Sequence, residues 1–364
     1  MAVNFRLPGP TPLPPAVLAA MQRPMIPHRG PAAKALMASV FNRARQVHRT
    51  DGDLLIWPGS GSAGWEAAIV NLLAPGDEVL AVVAGDFGDR FAAVGVAFGL
   101  TVHRLDIPWG QSPTPELVDE ALRANQGVKA VFLTHNETST GVTIPMAAIS
   151  AVVHDHAALV IVDAVSSAGG LPLEMDEWGL DFVFSGSQKA WMCPPGLLIA
   201  AVGPRAWDAI PTDGFRRFFW DFRTAKKFAD QGMTPATQPL TLLYAFDAAL
   251  DLILTEGVDE VWARHARLGE LTRAGVKSLG LQLFADEAYG SNTVTAFEVP
   301  DGLRAQQILA HMRERHEIEL QGGQAEYADT VVRIGHMGWA FEPDLQAVLD
   351  GLAETVPALM MARV

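Results

Sequence analysis

An acid and a lysine in the middle of the chain have the types and spacing needed to hold an aromatic aldehyde by its two ends. Asp163 ends one apolar run, and Lys189 comes shortly after the next apolar run, 182–185. A lysine amine can form a Schiff base with the aldehyde of pyridoxal phosphate. A carboxylate can keep the ring nitrogen of that cofactor protonated, so that the ring accepts electrons from a carbanion. The pair therefore predicts pyridoxal phosphate as the cofactor.

The neighbours of Lys189 favour this role over that of an ordinary exposed lysine. Trp191 and Met192 follow it, and a Pro-Pro turn over 193–196 comes next, so the side chain is expected to be buried. Burial would lower the pKa of the amine and favour its neutral, nucleophilic form. For Asp163 the simpler alternative is a carboxylate that only caps a turn.

A glycine-rich loop, residues 59–64, follows one predicted strand and opens a predicted helix. Small residues at a helix N-terminus let backbone N–H groups approach an anion such as a phosphate. The loop also fits the G-x-G-x-x-G pattern of nicotinamide-dependent oxidoreductases, which remains an alternative. Such an enzyme has no evident use for Asp163 and Lys189, whereas a pyridoxal phosphate enzyme uses all three features.

Three further residues are candidates for binding cofactor or substrate. Arg333 lies inside an apolar run, where an arginine is costly unless it is paired, so we expect a carboxylate partner, either a substrate or an internal salt bridge. Phe87 begins a helix and could stack on a pyridine ring or belong to the core. Thr138 could contact the ring or serve only as a turn hydroxyl.

The elements that would position these residues alternate between short apolar runs and longer amphipathic ones. Continuous apolar strands separated by helices predict an α/β fold with a largely parallel sheet, whose ligands bind at the carboxyl ends of the strands. The predicted strands are 54–57, 78–83, 101–105, 130–134, 159–163, 182–185 and 197–202, and the predicted helices between them are 63–73, 87–98, 115–123 and 144–154.

The two ends of the chain differ from this middle part. Eight prolines in the first 31 residues predict an extended arm, which must lie on the body or on a partner subunit. The last third predicts a small α+β domain with strands at 282–284, 292–298, 318–320 and 331–335. We therefore expect an arm over 1–30, a large cofactor-binding domain over 31–257 and a small domain over 258–364.

Composition excludes several classes of protein. Apolar residues make up 49% and charged residues 19%, as in a globular protein, and the net charge of −14 argues against nucleic-acid or anionic-membrane partners. The single cysteine, Cys193, excludes an intrachain disulfide and a cysteine-rich metal site. No signal peptide and no apolar stretch long enough to span a membrane are evident, so a cytoplasmic protein without a metal is expected.

Eight short segments, spread in order over nearly the whole chain, resemble the class V aminotransferases of pyridoxal phosphate fold type I, in the alanine–glyoxylate and serine–glyoxylate (serine–pyruvate) branch. They are PGPT at 8–11, GSGSAGWEAA at 59–68, LLAPGD at 72–77, THNETSTGV at 134–142, VDAVSSAGG at 162–170, SGSQK at 185–189, PPG at 194–196 and VRIG at 332–335.

This resemblance implies a role for each candidate residue. Lys189 would hold the cofactor and carry the proton of the substrate α-carbon, Asp163 would bind the ring nitrogen, and Arg333 would bind the substrate carboxylate. Phe87 would stack on the ring and Thr138 would contact its edge, while the phosphate would be held by Gly61, Ser62, Ala63 and Gln188. Thr237 would reach the phosphate of a neighbouring subunit, which implies a homodimer with shared sites. Some relatives have a histidine where this chain has Ser62 and a tyrosine where it has Thr234.

The implied reaction moves an amino group from alanine or serine to glyoxylate or pyruvate. Two alternatives with the same cofactor are a transaminase or lyase for another small amino acid, such as a phosphonate or phosphoserine, and a desulfurase. The first would need a second anion-binding group from Arg29, Arg217 or Arg223, and the second would need Cys193 to be mobile. A non-catalytic protein with this fold is disfavoured by the joint presence of Lys189, Asp163 and Arg333.

Overall fold

The computed structural model describes residues 3–362. The first two residues of the predicted arm and the last two of the predicted small domain lie outside this part. The described helices are α1 Pro15–Ala20, α2 Pro31–His48, α3 Ala63–Leu72, α4 Asp86–Ala97, α5 Pro115–Ala124, α6 Met146–Asp155, α7 Pro204–Ala209, α8 Phe222–Ala229, α9 Leu240–Glu256, α10 Val258–Ser278, α11 Ala305–His316 and α12 Glu342–Met361.

The described strands range from two to seven residues in length. They are β1 Asn4–Phe5, β2 Asp53–Pro58, β3 Glu78–Val83, β4 Thr101–Asp106, β5 Val128–Thr134, β6 Asn136–Glu137, β7 Val142–Thr143, β8 Leu159–Asp163, β9 Phe182–Gly186, β10 Leu197–Val202, β11 Val294–Glu298, β12 Ile318–Glu319, β13 Gln321–Gly322 and β14 Val331–Gly335.

A seven-stranded sheet in the order β2-β10-β9-β8-β5-β3-β4 forms the centre of the molecule. Strand β10 is antiparallel to both of its neighbours, and the other pairs in this sheet are parallel. The predicted α/β fold with a mostly parallel sheet is therefore confirmed. Strands β8, β9 and β10 are buried along their whole length, which explains their continuous apolar runs.

Alternate residues of each strand enter two different cores, one on each face of the sheet. In β8, Val162 belongs to the core that includes helices α2, α6 and α9, whereas Ile161 belongs to the core that includes α3, α4 and α8. Because strand side chains alternate, Asp163 lies on the same face as Ile161. The strand pattern therefore directs this carboxylate toward α3 and α4.

The C-terminal part has a smaller sheet with its own core. Strands β11, β14 and β13 pair antiparallel, and helices α10, α11 and α12 cover this sheet. The predicted strand at 282–284 is wrong, because only an isolated bridge joins Leu283 to Phe297 there. Helix α10 contributes Trp262 to the large core and Leu268 to the small one, and the boundary at residue 258 stays a prediction.

The N-terminal arm lies on the body of its own chain. Strand β1 pairs with β12 of the smaller unit, and the backbone N–H of Thr11 donates to the carbonyl of Gln188 at 3.1 Å. Residues 15–20 of the arm are not extended as predicted but form α1. Its helix starts at Pro15, a position where the missing N–H costs nothing, and Val17 is buried against the core.

Among the helices of the described part, none has the length and apolar character needed to cross a membrane.

Candidate active site

Five loops gather at the carboxyl edge of the central sheet. The glycine-rich segment and Lys189 lie in the loops after β2 and β9, Phe87 lies in the first turn of α4 after β3, Thr138 follows the short strand β6 after β5, and Asp163 is the last residue of β8. Parallel strands bring these sequence-distant residues to one edge, where ligands of such sheets bind. Arg333, on β14 of the smaller unit, reaches the same place and donates to the carbonyl of Thr138 at 3.0 Å.

Asp163 is a buried carboxylate that is held in place by two hydrogen bonds. Its Oδ2 accepts from the indole N–H of Trp65 at 2.8 Å, and its Oδ1 accepts from the backbone N–H of Val165 at 2.9 Å. Burial raises the pKa of Asp163 to about 7, and the nearby charge of Glu137 adds to this effect, while the two hydrogen bonds and Lys189 oppose it. A cation placed against this carboxylate would relieve the cost of burial.

The amine of Lys189 lies near Asp163 and under the N-terminal arm. Its Nζ donates to the carbonyl of Pro8, and Gly9 packs on the side chain so closely that a Cβ there would lie 2.5 Å from Cδ. Burial lowers the pKa of Lys189 to about 8, the charge of Arg333 lowers it further, and Asp163 opposes them. A useful fraction of the amine is therefore neutral near neutral pH, as a nucleophile requires.

The glycine-rich loop presents free backbone N–H groups at the start of α3. Within residues 3–362, the N–H groups of Gly61 and Ser62 have no acceptor, whereas those of Ala63 and Gly64 donate to carbonyls of the same loop. A Cβ at Gly186 would lie 3.1 Å from the nitrogen of Gly61, so the loop and the end of β9 are in close contact. Such a pair of N–H groups at a helix N-terminus suits a phosphate.

Phe87 and Thr138 are brought together by a residue that the sequence analysis missed. The buried carboxylate of Glu137 accepts from the backbone N–H of Phe87 at 3.1 Å, and Glu137 directly precedes Thr138. Trp65, the donor to Asp163, was also missed as a functional residue. A carboxylate or an indole gives no local signal of its partner, because these partners come from distant segments.

Arg333 is buried and is held by oxygen atoms that carry no formal charge. It donates to the carbonyl of Gly322 at 2.8 Å, to that of Thr138, and to Oε1 of Gln324 at 2.9 Å. Of the two alternatives, the internal salt bridge does not form within the described residues, since none of their carboxylates lies within ion-pair distance of Arg333. Burial lowers the pKa of Arg333 to about 10, while Glu137 and Asp86 oppose this shift. A partly uncompensated guanidinium of this kind suits an anionic ligand.

The remaining predicted residues differ in how they relate to the site. Gln188 precedes Lys189, and its buried Oε1 has no hydrogen-bond partner. Ser62 is exposed at the start of α3, and Ala63 is the first residue of that helix. Thr237 is exposed, and no hydrogen bond joins it to the other site residues within the described chain.

The residues at this edge fit pyridoxal phosphate. Gly61 and Ser62 offer N–H groups for its phosphate, Asp163 offers a buried carboxylate for its ring N–H, and Lys189 offers an amine for its aldehyde. The two N–H groups lack acceptors, and burial disfavours the charges of Asp163 and Lys189, a cost that the cofactor would offset. Over residues 3–362, no group of three His, Cys, Asp or Glu side chains is placed to hold a metal ion.

Cys193 does not meet the needs of a desulfurase. Its thiol is buried and contacts the carbonyl of Leu242, and burial raises the pKa of the thiol well above its usual range. A thiol in this environment stays protonated and unreactive.

Comparisons with known proteins identify the family of the chain. A sequence profile described as "Aminotransferase class-V" matches residues 3–337. The chain is 39% identical, over 97% of its length and 92% of the relative, to a protein of Synechococcus named "Soluble hydrogenase, small subunit". It is 38% identical to the serine–glyoxylate aminotransferase of Methylorubrum extorquens, over 95% and 89%. The solved structure of an alanine–glyoxylate aminotransferase from Nostoc superposes with a TM-score of 0.92 at 31% identity, covering 98% of this chain and 96% of that one.

Proposed function

The chain belongs to the class V aminotransferase family and is a pyridoxal-phosphate-dependent aminotransferase, and we propose that it moves the amino group of alanine or serine to glyoxylate or pyruvate. The observation that carries the proposal is the pair formed by Lys189, which is half-buried in the loop after β9, and the buried Asp163 at the end of β8. Each charge favours the ionised form of the other: Lys189 lowers the pKa of Asp163, and Asp163 raises the pKa of Lys189.

We propose a role for each group around this pair. Asp163 would keep the cofactor ring cationic, Phe87 would cover one face of the ring, Thr138 would contact its edge, and the loop from Gly61 to Ala63 would hold the phosphate with Gln188. When bound, pyridoxal phosphate accepts the amino group and withdraws electrons from the substrate α-carbon.

The reaction then requires positioning and one mobile proton. Arg333 would bind the substrate carboxylate with the part of its guanidinium that the protein carbonyls leave free, which fixes the α-carbon relative to the ring. Lys189 would move the proton between the α-carbon and the cofactor, because a pKa of about 8 lets the amine give and take a proton near neutral pH. The arm over Lys189 would limit the access of water.

The positions of the arginines in the chain favour amino donors whose side chains are small and uncharged. Within one chain, the charge of Arg333 acts on Lys189, whereas Arg217 pairs with Asp221 at 3.2 Å, and Arg29 and Arg223 are exposed on segments where only the site of a partner subunit could use them. A phosphonate or phosphoserine donor would need one of them as a second anion site. Relatives named for serine–glyoxylate and alanine–glyoxylate transfer support the same choice, and another relative is named for transfer from L-aspartate to glyoxylate.

One relative is named as a hydrogenase subunit, and we propose no hydrogenase function for this chain. The fold of this chain brings together the Lys189–Asp163 pair and the anion-binding loop, and both would serve amino transfer. A nicotinamide-dependent reaction would leave this buried pair without a use.

We further propose a cytoplasmic homodimer with shared sites and the division into a large and a small domain at residue 258. Support for the dimer comes from the loop before α9. Thr237 is exposed there, and nearby Phe218 exposes 93% of its surface, which is costly for a phenylalanine unless a partner covers it.

A stopped-flow screen of the half-reaction tests the function. The purified protein loaded with pyridoxal phosphate is mixed with alanine, serine, aspartate or phosphoserine, and loss of the yellow colour is recorded. We expect fast bleaching with alanine or serine and recovery on addition of glyoxylate or pyruvate. Fast bleaching with phosphoserine alone would contradict the proposed substrates, and no bleaching with any amino acid would contradict the reaction.

A further inference from the structure

Glu137 joins three parts of the proposed active site through one carboxylate. It lies in β6 and is completely buried. Its Oε2 accepts from the backbone N–H groups of Phe87 and Gly88, both at 3.1 Å, and its Oε1 accepts from the N–H of Ser139 at 3.2 Å and from its hydroxyl at 2.6 Å. Burial raises the pKa of Glu137, and the four donors around the carboxylate oppose this shift because they bind its ionised form.

These bonds fasten the start of helix α4 to the loop after β5. The hydroxyl of Ser139 also accepts from the N–H of Asp86 at 3.0 Å, so the first three N–H groups of α4 all find acceptors on this loop. A helix leaves these groups without partners inside itself, and its positive N-terminus favours a carboxylate. Gly85 makes the approach possible, because a Cβ there would collide with Glu137 and Ser139.

The consequence for the site is that two cofactor contacts share one anchor. Phe87 is held through its own N–H, and Thr138 lies between Glu137 and Ser139, which together form the anchor. The carbonyl of Thr138 in turn accepts a hydrogen bond from Arg333. The anchor therefore also helps to position the residue that would bind the substrate. The charge of Glu137 favours the ionised form of Arg333.

We propose that Glu137 is a positioning residue for the cofactor: it sets the ring of Phe87 and the backbone of Thr138 without touching the cofactor itself. This inference rests on the proposed function. It predicts that replacing the carboxylate of Glu137 lowers the affinity for the cofactor even when no substrate is present.

The test measures the affinity of the purified apoprotein for pyridoxal phosphate by quenching of tryptophan fluorescence. In Glu137→Gln the new NH2 group must face N–H donors of either α4 or Ser139, so at least one bond is lost together with the charge. We expect the Kd to rise about tenfold or more and the visible circular dichroism of the bound cofactor to change. Glu116→Gln, in the first turn of α5, is the matched control and should leave both unchanged.

A thermodynamic cycle separates positioning from a general loss of structure. Because Glu137 acts through Phe87 as well as through Thr138, the effect of Glu137→Gln on the Kd should be smaller in a Phe87→Leu background than in the wild type, since one of the two positioned groups is already gone. A Kd within twofold of the wild type, or full additivity with Phe87→Leu, would overturn the inference.

An unfolded variant can be distinguished from a wild-type protein that does not bind the cofactor. If Glu137→Gln does not fold, Ser139→Ala takes its place in the same cycle, since it removes one bond to Glu137 and one to α4 while leaving the charge. If the wild-type protein itself binds no pyridoxal phosphate, the proposed function fails before any variant is compared.

Discussion

Replacing Asp163 with asparagine should stabilise the apoprotein while it damages the enzyme. The pKa of Asp163 is raised from 3.8 to about 7, mainly by burial. Because each pKa unit corresponds to about 1.4 kcal/mol, the ionised carboxylate costs the apoprotein roughly 4 kcal/mol above pH 7. Asparagine carries no charge, but its NH2 must face either Trp65 or Val165, which loses one hydrogen bond worth about 1–2 kcal/mol. The expected net gain in the free energy of unfolding is about 2–3 kcal/mol.

The pH dependence of this difference has a definite sign. Between pH 4 and pH 7 the folded state holds a proton on Asp163 that the unfolded state has released, so the free energy of unfolding falls as the pH rises through this range. Urea unfolding of the wild-type apoprotein and of Asp163→Asn, measured from pH 4 to pH 8, should therefore give curves that separate as the pH rises. Asp301→Asn, in an exposed turn, is the control and should follow the wild type.

Adding pyridoxal phosphate should reverse the order of stability. The ring cation would offset the cost of the carboxylate in the wild type and would find no counter-charge in Asp163→Asn. Turnover of the loaded variant should fall by at least about one to two orders of magnitude, since a charge-assisted hydrogen bond is worth roughly 1.5–3 kcal/mol. Parallel stability curves for the two apoproteins, or equal turnover of the two loaded enzymes, would refute this account of Asp163.

Three other substitutions test the remaining geometry. Lys189→Ala should abolish borohydride-stable labelling by the cofactor and nearly all turnover while the far-ultraviolet circular dichroism stays unchanged; label found on another lysine by mass spectrometry would refute the assignment. Arg333→Ala should raise the KM of both amino donor and keto acid at least tenfold, and an unchanged KM would remove Arg333 from the site. Gly9→Ala should displace the amine of Lys189, because the new Cβ would lie 2.5–2.7 Å from three atoms of that side chain, and cofactor loading should fall. Gly280→Ala, which has a φ of +74° and nothing within 4 Å, controls for backbone strain alone and should load normally.

Much of the fold could be predicted because burial on both faces imposes a long apolar run on each central strand. The predicted runs 78–83, 159–163 and 197–202 coincide with β3, β8 and β10. The extended conformation predicted for residues 15–20 and the strand predicted at 282–284 were wrong, because both segments are short. Short or proline-rich segments take their conformation from what they pack against, and the sequence does not show those contacts.

The sequence by itself determined the chemical types at the candidate site: an acid ending one buried strand, a lysine after the next, and a glycine loop before a helix. Only the tertiary structure decided how these groups are held. Trp65 reaches Asp163, carbonyls surround Arg333, and the arm lies over Lys189. Hydrogen bonds and burial depend on distances between segments that are far apart in the chain, and those distances exist only once the parallel strands have brought their ends to one edge.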